Sequence, residues 1–193
     1  MTGSGRMRAR GAVDPVDAPR QPGPATIVRD ARMEDAAAIA AIYTQGIEDR
    51  TATFETEPRT AEQMVEYLAE RSGRYPVVVA ERDGRVVAWA GASQYRPRRC
   101  YDGVAECSVY TARDARGTGA GHAALAGLIA SCEAAGFWKL VSRIFPENVP
   151  SRRLCVGLGF REVGVYRRHA RLDGRWRDTV IVELLIGDAR DDA

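Results

Sequence analysis

Arg116-Gly117-Thr118-Gly119-Ala120-Gly121-His122 carries more structural information than any other stretch of this chain. It follows an alternating apolar segment, Val104 to Tyr110, and runs directly into apolar residues at helical spacing. Three alternating glycines let the backbone turn tightly and bring its N–H groups close to a ligand that a Cβ would hold off. The helix that begins there adds unpaired N–H donors and a positive dipole end, so the turn suits a phosphate. A nucleoside-triphosphate loop would close on Gly-Lys-Ser/Thr, whereas this one closes on Ala-Gly-His. Gly119-Ala120-Gly121-His122-Ala123-Ala124 does spell a dinucleotide fingerprint. That fingerprint needs an acid about 20 residues on to hold the ribose, and the chain has Lys139, Leu140 and Val141 there. A plain glycine-rich helix cap would explain one of these glycines but not three after a strand.

Length and composition agree with one globular domain of enzyme size. The chain has 193 residues, of which 45% are apolar, enough for a real core. Its 28 basic and 26 acidic residues are interspersed, for a formal net charge of +2. No charge block points to nucleic acid or an anionic membrane, and no apolar run is long enough for a transmembrane helix. Residues 1–24, rich in Gly, Pro, Arg and Ala, read as a disordered tail without a secretion signal. The domain is expected over 25–188, with a short tail at 189–193. The four cysteines form no Cys-x-x-Cys pair and only two histidines are present, so no metal site is expected. The cysteines fit reduced thiols in a cytoplasmic interior.

Strands and helices alternate along the chain. Ile27–Arg29 reads as a short strand, and Ala36, Ile39, Tyr43 and Ile47 recur at helical spacing. Thr60-Ala61-Glu62-Gln63 is a capping box that opens a second helix through Met64, Tyr67, Leu68 and Arg71. Val77–Ala80 and Val86–Ala92 are joined through Asp83-Gly84, a hairpin signal. After the strand Val104–Thr111 and the glycine turn, Leu125, Leu128, Ile129 and Cys132 form a helical stripe ending at Gly136. Lys139–Phe145 is a strand, and Asn148 caps a helix that stops at Gly159. Strands around Arg161–Tyr166 and Thr179–Ile186 flank a turn at Asp173-Gly174. The expected class is α/β (α+β): a mixed, mostly antiparallel twisted sheet of about six or seven strands flanked by about four helices.

Arg116, Gly119 and Gly121 also satisfy Arg/Gln-x-x-Gly-x-Gly/Ala. This pattern resembles the pyrophosphate loop of the GNAT (GCN5-related) N-acetyltransferases, which bind acetyl-coenzyme A. From about residue 27 to 187 the chain is similar to the phosphinothricin, arsinothricin and methionine-sulfoximine acetyltransferase branch. The matching text is Ile39-Ala40-Ala41-Ile42-Tyr43, Ala52-Thr53-Phe54-Glu55-Thr56-Glu57-Pro58 and Arg74-Tyr75-Pro76-Val77. It continues in Ala105-Glu106-Cys107-Ser108-Val109-Tyr110 and Asp173-Gly174-Arg175-Trp176-Arg177-Asp178.

The resemblance implies the GNAT fold and acetyl-coenzyme A as cosubstrate. It implies acetylation of the α-amino group of a small anionic amino-acid-like toxin by direct attack in a ternary complex. Val109, Tyr110 and Thr111 would bond the pantetheine arm as a neighbouring strand does. Gly117, Thr118, Gly119, Ala120, Gly121 and His122 would cradle the pyrophosphate, with Arg116 either on a phosphate or bracing the turn. Asn148 and Ser151 match the second cofactor motif, Asn-x-x-Ala/Ser. Many relatives carry a tyrosine four residues on to protonate the departing thiolate; here that position is Cys155, which leaves Cys155, Tyr110 and water as acids. Some relatives have a catalytic histidine where this chain has Asp173, so that role is not carried over. A homodimer is common in the branch, with Trp176 near the second subunit's site.

The chemistry itself asks for a base, because an α-ammonium group must lose a proton before it attacks a thioester. Glu106 is the candidate, a carboxylate on an otherwise apolar strand where burial would favour the neutral acid. The resemblance also makes it a substrate contact. Arg96, ten residues before Glu106, and Arg98 fit an anionic acceptor, since guanidinium groups bind carboxylate, phosphinate or arsinate bidentately. By resemblance Phe54 borders the acceptor pocket. Alternative functions are acetylation of another small amine or a protein N-terminus, or non-catalytic acyl-coenzyme A sensing.

Overall fold

The fold is described from a computed structural model covering residues 25–190; the N-terminal segment 1–24 and residues 191–193 lie outside the described residues. Its centre is one seven-stranded sheet in the order β1-β2-β3-β4-β5-β7-β6. The strands are β1 (Ile27–Asp30), β2 (Val77–Arg82), β3 (Arg85–Gln94), β4 (Val104–Thr111), β5 (Lys139–Ile144), β6 (Arg161–Leu172) and β7 (Arg175–Leu185). Neighbours are antiparallel except β4 and β5, which run parallel. This is the mixed, mostly antiparallel sheet that the alternation of elements leads one to expect.

Four helices cover it: α1 (Ala36–Glu48), α2 (Ala61–Arg71), α3 (Ala120–Ala134) and α4 (Val149–Gly157). Thr60 and Gln63 cap α2 reciprocally, as their spacing predicts. Helix α3 packs across β2, β3 and β4 and buries Ala124, Leu125, Leu128 and Cys132. On the opposite sheet face Trp89 of β3 stacks on Tyr110 of β4, with ring centroids 5.0 Å apart, and Tyr43 of α1 packs edge-on to Trp89. Helices on both faces therefore clamp β3 and β4, and β4 supplies one wall of the site.

The last hairpin is longer than the sequence pattern predicts. Expected strands around Arg161–Tyr166 and Thr179–Ile186 are in fact Arg161–Leu172 and Arg175–Leu185. Register shifts at Glu162/Gly164 and Tyr166/Ala170, with Arg168 at φ 50, break the alternation on which that expectation rests.

One buried ion pair ties the start of the domain to the sheet. Asp35, 6% exposed, accepts from Arg29 Nη1 at 2.7 Å and Nη2 at 2.9 Å, and from the Arg32 N–H at 2.7 Å. The Arg29 guanidinium holds the Asp35 carboxyl below the usual carboxylate range. Replacing Asp35 by Asn should destabilise the fold by roughly 2 kcal/mol in urea unfolding, because charge-assisted hydrogen bonds to a buried carboxylate are lost while the guanidinium keeps its second partner, Glu81, at 2.9 Å. A depressed carboxyl stabilises above its unfolded pKa of about 3.9 and stops doing so as pH falls through the folded value. The gap between wild type and variant should therefore be full at neutral pH and close in acid.

Candidate active site

Strands β4 and β5 pair only from Val104–Lys139 to Glu106–Val141. Beyond that rung β4 continues to Thr111, held on β3, and β5 to Ile144, held on β7. The two strands part, so the β4 edge from Cys107 to Thr111 that turns toward β5 lacks a sheet partner. An unpartnered edge presents backbone donors and acceptors to whatever lies in the gap. A cavity of about 750 Å³ fills this fork, lined from β4 by Cys107 to Thr111 and from β5 by Ser142 to Ile144.

At its open end the cavity meets the glycine turn. Gly117 has φ 72 and Gly119 φ 88, both left-handed, and a Cβ at either would meet no atom within 4 Å. Gly119 caps α3, whose first-turn N–H groups have no intrahelical acceptor. At Gly121 a Cβ would sit 2.7 Å from Thr111 Oγ1, so glycine lets α3 start against the end of β4. The turn is held from outside. Thr118 Oγ1 donates to the Ala115 carbonyl and accepts from Arg82 Nη1, each at 2.6 Å. Arg116 braces it too, with Nη2 2.7 Å from Asp49 Oδ2 and Nε donating to the Thr111 carbonyl at 3.3 Å.

The cavity's other wall is the start of α4. Asn148 caps that helix, its Oδ1 accepting from the Ser151 N–H at 3.2 Å, while its Nδ2 donates to the Thr51 carbonyl at 3.0 Å. Ser151 and Cys155 line the same wall. Burial pushes the Cys155 thiol up to about 11, so it keeps its proton at neutral pH. Tyr110, also lining, has its phenol raised by burial.

Glu106 is not itself a lining residue: it stands at the closed end, one residue before Cys107, where the β4 wall begins, on the last rung shared by β4 and β5. Its surroundings differ from those expected of a carboxylate on an apolar strand. Arg143 of β5 grips it with both nitrogens on one side: Nε donates to Oε1 at 3.0 Å, and Nη2 bridges the two oxygens. The partner comes from a parallel strand 37 residues away, so the apolar neighbours in β4 give no hint of it.

The structure thus gathers Val109, Tyr110, Thr111, Arg116, Gly117, Gly119, Gly121, His122, Asn148 and Ser151 around one cavity. Thr118 and Ala120 belong to the same turn, but the Thr118 side chain is engaged behind it and Ala120 is fully buried. Phe54 stands outside the cavity wall, edge-on to Phe145 with centroids 4.8 Å apart. Arg96 and Arg98 also lie outside it, exposed on the β3–β4 connection. Arg96 lies three residues past Ser93, which pairs with Glu106, and its guanidinium sits over the Tyr95 ring. Arg143, Asp49 and Thr51 are lining residues that the sequence pattern did not single out.

Residues 39–160 match the Acetyltransferase (GNAT) family. The chain belongs to that family. The acetyltransferase is 37% identical over 174 residues to a phosphinothricin N-acetyltransferase of Alcaligenes faecalis, covering 86% of this chain and 88% of the relative. It is 32% identical over 165 residues to an L-methionine sulfoximine/L-methionine sulfone acetyltransferase of Pseudomonas paraeruginosa, covering 84% and 96%. Among solved structures, a phosphinothricin acetyltransferase from Sinorhizobium meliloti in complex with acetyl-coenzyme A superposes with a TM-score of 0.80 at 32% identity, over 86% of this chain and 91% of that one. An acetyltransferase from Salmonella typhimurium with acetyl-coenzyme A does so with a TM-score of 0.80 at 27% identity, over 84% and 95%.

Proposed function

We propose that the acetyltransferase moves the acetyl group of acetyl-coenzyme A to the α-amino group of a small anionic amino-acid-like acceptor. Phosphinothricin and arsinothricin exemplify the class, and methionine sulfoximine shares the amino-acid head with an uncharged polar side chain. The observation that carries this reading is the fork between β4 and β5 running straight into the Gly117–His122 turn. The unpartnered β4 edge from Val109 to Thr111 suits a pantetheine arm, which carries amides of its own. The N-terminal turn of α3 suits a pyrophosphate, and two glycines whose Cβ positions are open leave it room. Asn148 and Ser151 would close over the arm from α4.

Acetyl-coenzyme A supplies a thioester carbonyl and a thiol leaving group. The acceptor would lie at the closed end, where Glu106 takes the ammonium proton and a β4 backbone N–H polarises the carbonyl. Direct attack in a ternary complex is the mechanism this reading takes, supported by a fork open from the glycine turn to the rung of Glu106. Cys155, Tyr110 and water are the available proton sources for the departing thiolate. Arg96 and Arg98 would face the acceptor's anionic side chain, and Phe54, edge-on to Phe145, would border the acceptor pocket.

The exposed edge strand β6 supports a homodimer. Val163, Val165 and Tyr166 on it, with Trp176 on β7, are each roughly half exposed. Four free cysteines among the described residues suit a reducing, cytoplasmic setting.

The test is thiol release from acetyl-coenzyme A in the presence of phosphinothricin, arsinothricin, methionine sulfoximine or glutamate. Turnover with at least one anionic toxin, above that with glutamate, is expected. No release with any of them contradicts the acceptor class. Replacing Arg96 by Ala should raise the acceptor's KM about tenfold while moving that of acetyl-coenzyme A little, the loss of one charge-assisted contact.

A further inference from the structure

Two arginines line the cavity, one at each end. Arg116, beside the glycine turn, is held by Asp49. Arg143, at the closed end, is held by Glu106. The two pairs differ in what a ligand can do with them. Arg116 also bonds the Thr111 carbonyl and belongs to the scaffold of the turn. Arg143 bonds only Glu106 among the described side chains, and its side chain remains 40% exposed and that of Glu106 28%. A ligand entering the closed end therefore meets a guanidinium that lines the cavity, with the carboxylate it holds just beyond the lining.

An α-amino acid carries the complementary pair, an ammonium and a carboxylate on one carbon. It can replace a single ion pair by two, its ammonium on the carboxylate and its carboxylate on the guanidinium. We infer that Arg143 binds the α-carboxylate of the acceptor, and that the Glu106–Arg143 pair is the recognition element for the zwitterionic head of an amino acid. The inference rests on the acceptor class proposed above and assigns its two anionic groups to different arginines. Arg143 touches Glu106 and so takes the carboxylate adjacent to the reacting amine. Arg96, on the β3–β4 connection, takes the anion at the far end of the side chain. Occupying Arg143 also frees Glu106 from the guanidinium as the ammonium arrives, so the carboxylate is released where its proton is to be collected. Arginine suits this place because its planar fork matches a carboxylate with two parallel N–H donors.

The experiment compares phosphinothricin with its decarboxylated amine, 3-aminopropyl(methyl)phosphinate, in wild type, Arg143→Gln and Arg143→Lys. Both variants keep the surface position filled, and their folding is checked by thermal unfolding. Wild type should favour the carboxylate-bearing acceptor in KM by about tenfold or more, the worth of a charge-assisted contact. In Arg143→Gln that preference should collapse toward one, and Arg143→Lys should fall between. If phosphinothricin is acetylated and Arg143→Gln leaves the preference intact, Arg143 does not bind the carboxylate and only this inference falls. If no acceptor is acetylated, the same comparison is made by NMR-monitored binding of the two compounds to the protein carrying coenzyme A. Carboxylate-dependent binding lost in Arg143→Gln would then uphold the subsite while the proposed reaction fails. Equal binding, or none, overturns the subsite.

Discussion

Replacing Glu106 by Gln should lower kcat by about two to four orders of magnitude, the usual worth of a positioned general base. The size of the effect follows from the reaction, since a protonated amine has no lone pair for the thioester. The variant keeps the shape of the side chain and loses only its capacity to take a proton. Acetyl-coenzyme A affinity should stay near that of wild type, because the cavity wall on β4 begins at Cys107, past Glu106. The substitution leaves the Arg143 guanidinium without its carboxylate, but that side chain is 40% exposed and water can serve it. The fold should survive, as circular dichroism would report. Stopped-flow thiol release gives the rate, and a fall of less than about tenfold would remove Glu106 from the role of base.

The second large effect is expected at Gly119. Its φ of 88 lies where a β-branched residue is a genuine outlier, at a cost on the order of 1–3 kcal/mol. A Cβ there meets no protein atom within 4 Å, so the strain of Gly119→Val is set by φ rather than by crowding at its Cβ. What it disturbs is the path of the backbone N–H groups at the α3 start and the space in front of them. Acetyl-coenzyme A affinity should drop by about 10- to 100-fold. Gly84→Val is the matched control: φ is 73, the Cβ is again unobstructed, and the residue belongs to the β2–β3 turn outside the cavity. It carries comparable strain and should leave acetyl-coenzyme A affinity near that of wild type. Equal losses in both variants would mean that strain, rather than the turn's contact with the cosubstrate, sets the effect.

The elements legible in the sequence are those whose local signals agree with their tertiary role. Thr60 and Gln63 announce α2, Asp83-Gly84 announces the β2–β3 turn, and the Gly117–Gly121 alternation announces the start of α3. Local signals fail where long-range pairing decides. In β6 the irregular register near Arg168 erases the two-residue period, so a twelve-residue strand shows only its first half. Arg143 shares a phase of β5 with Lys139 and Val141, and in the sequence this looks like the solvated face of a strand. Only the parallel register of β4 and β5 shows that Glu106 stands beside it. Asp49 and Thr51 enter the site because the segment after α1 meets residues far along the chain: Asn148 reaches the Thr51 carbonyl across 97 positions. No local pattern encodes such a contact. The glycine turn was readable because its chemistry, exposed amides at a helix start, lies within a few consecutive residues.

The fork between β4 and β5 can be probed without knowing the acceptor, by titrating acetyl-coenzyme A into the folded protein in a calorimeter. Saturable binding with one molecule per chain is expected, weakened in Gly119→Val and retained in Gly84→Val. A folded protein that takes up no acetyl-coenzyme A at any accessible concentration would contradict the assignment of the cavity, and with it the roles given to Glu106, Arg96 and Arg143.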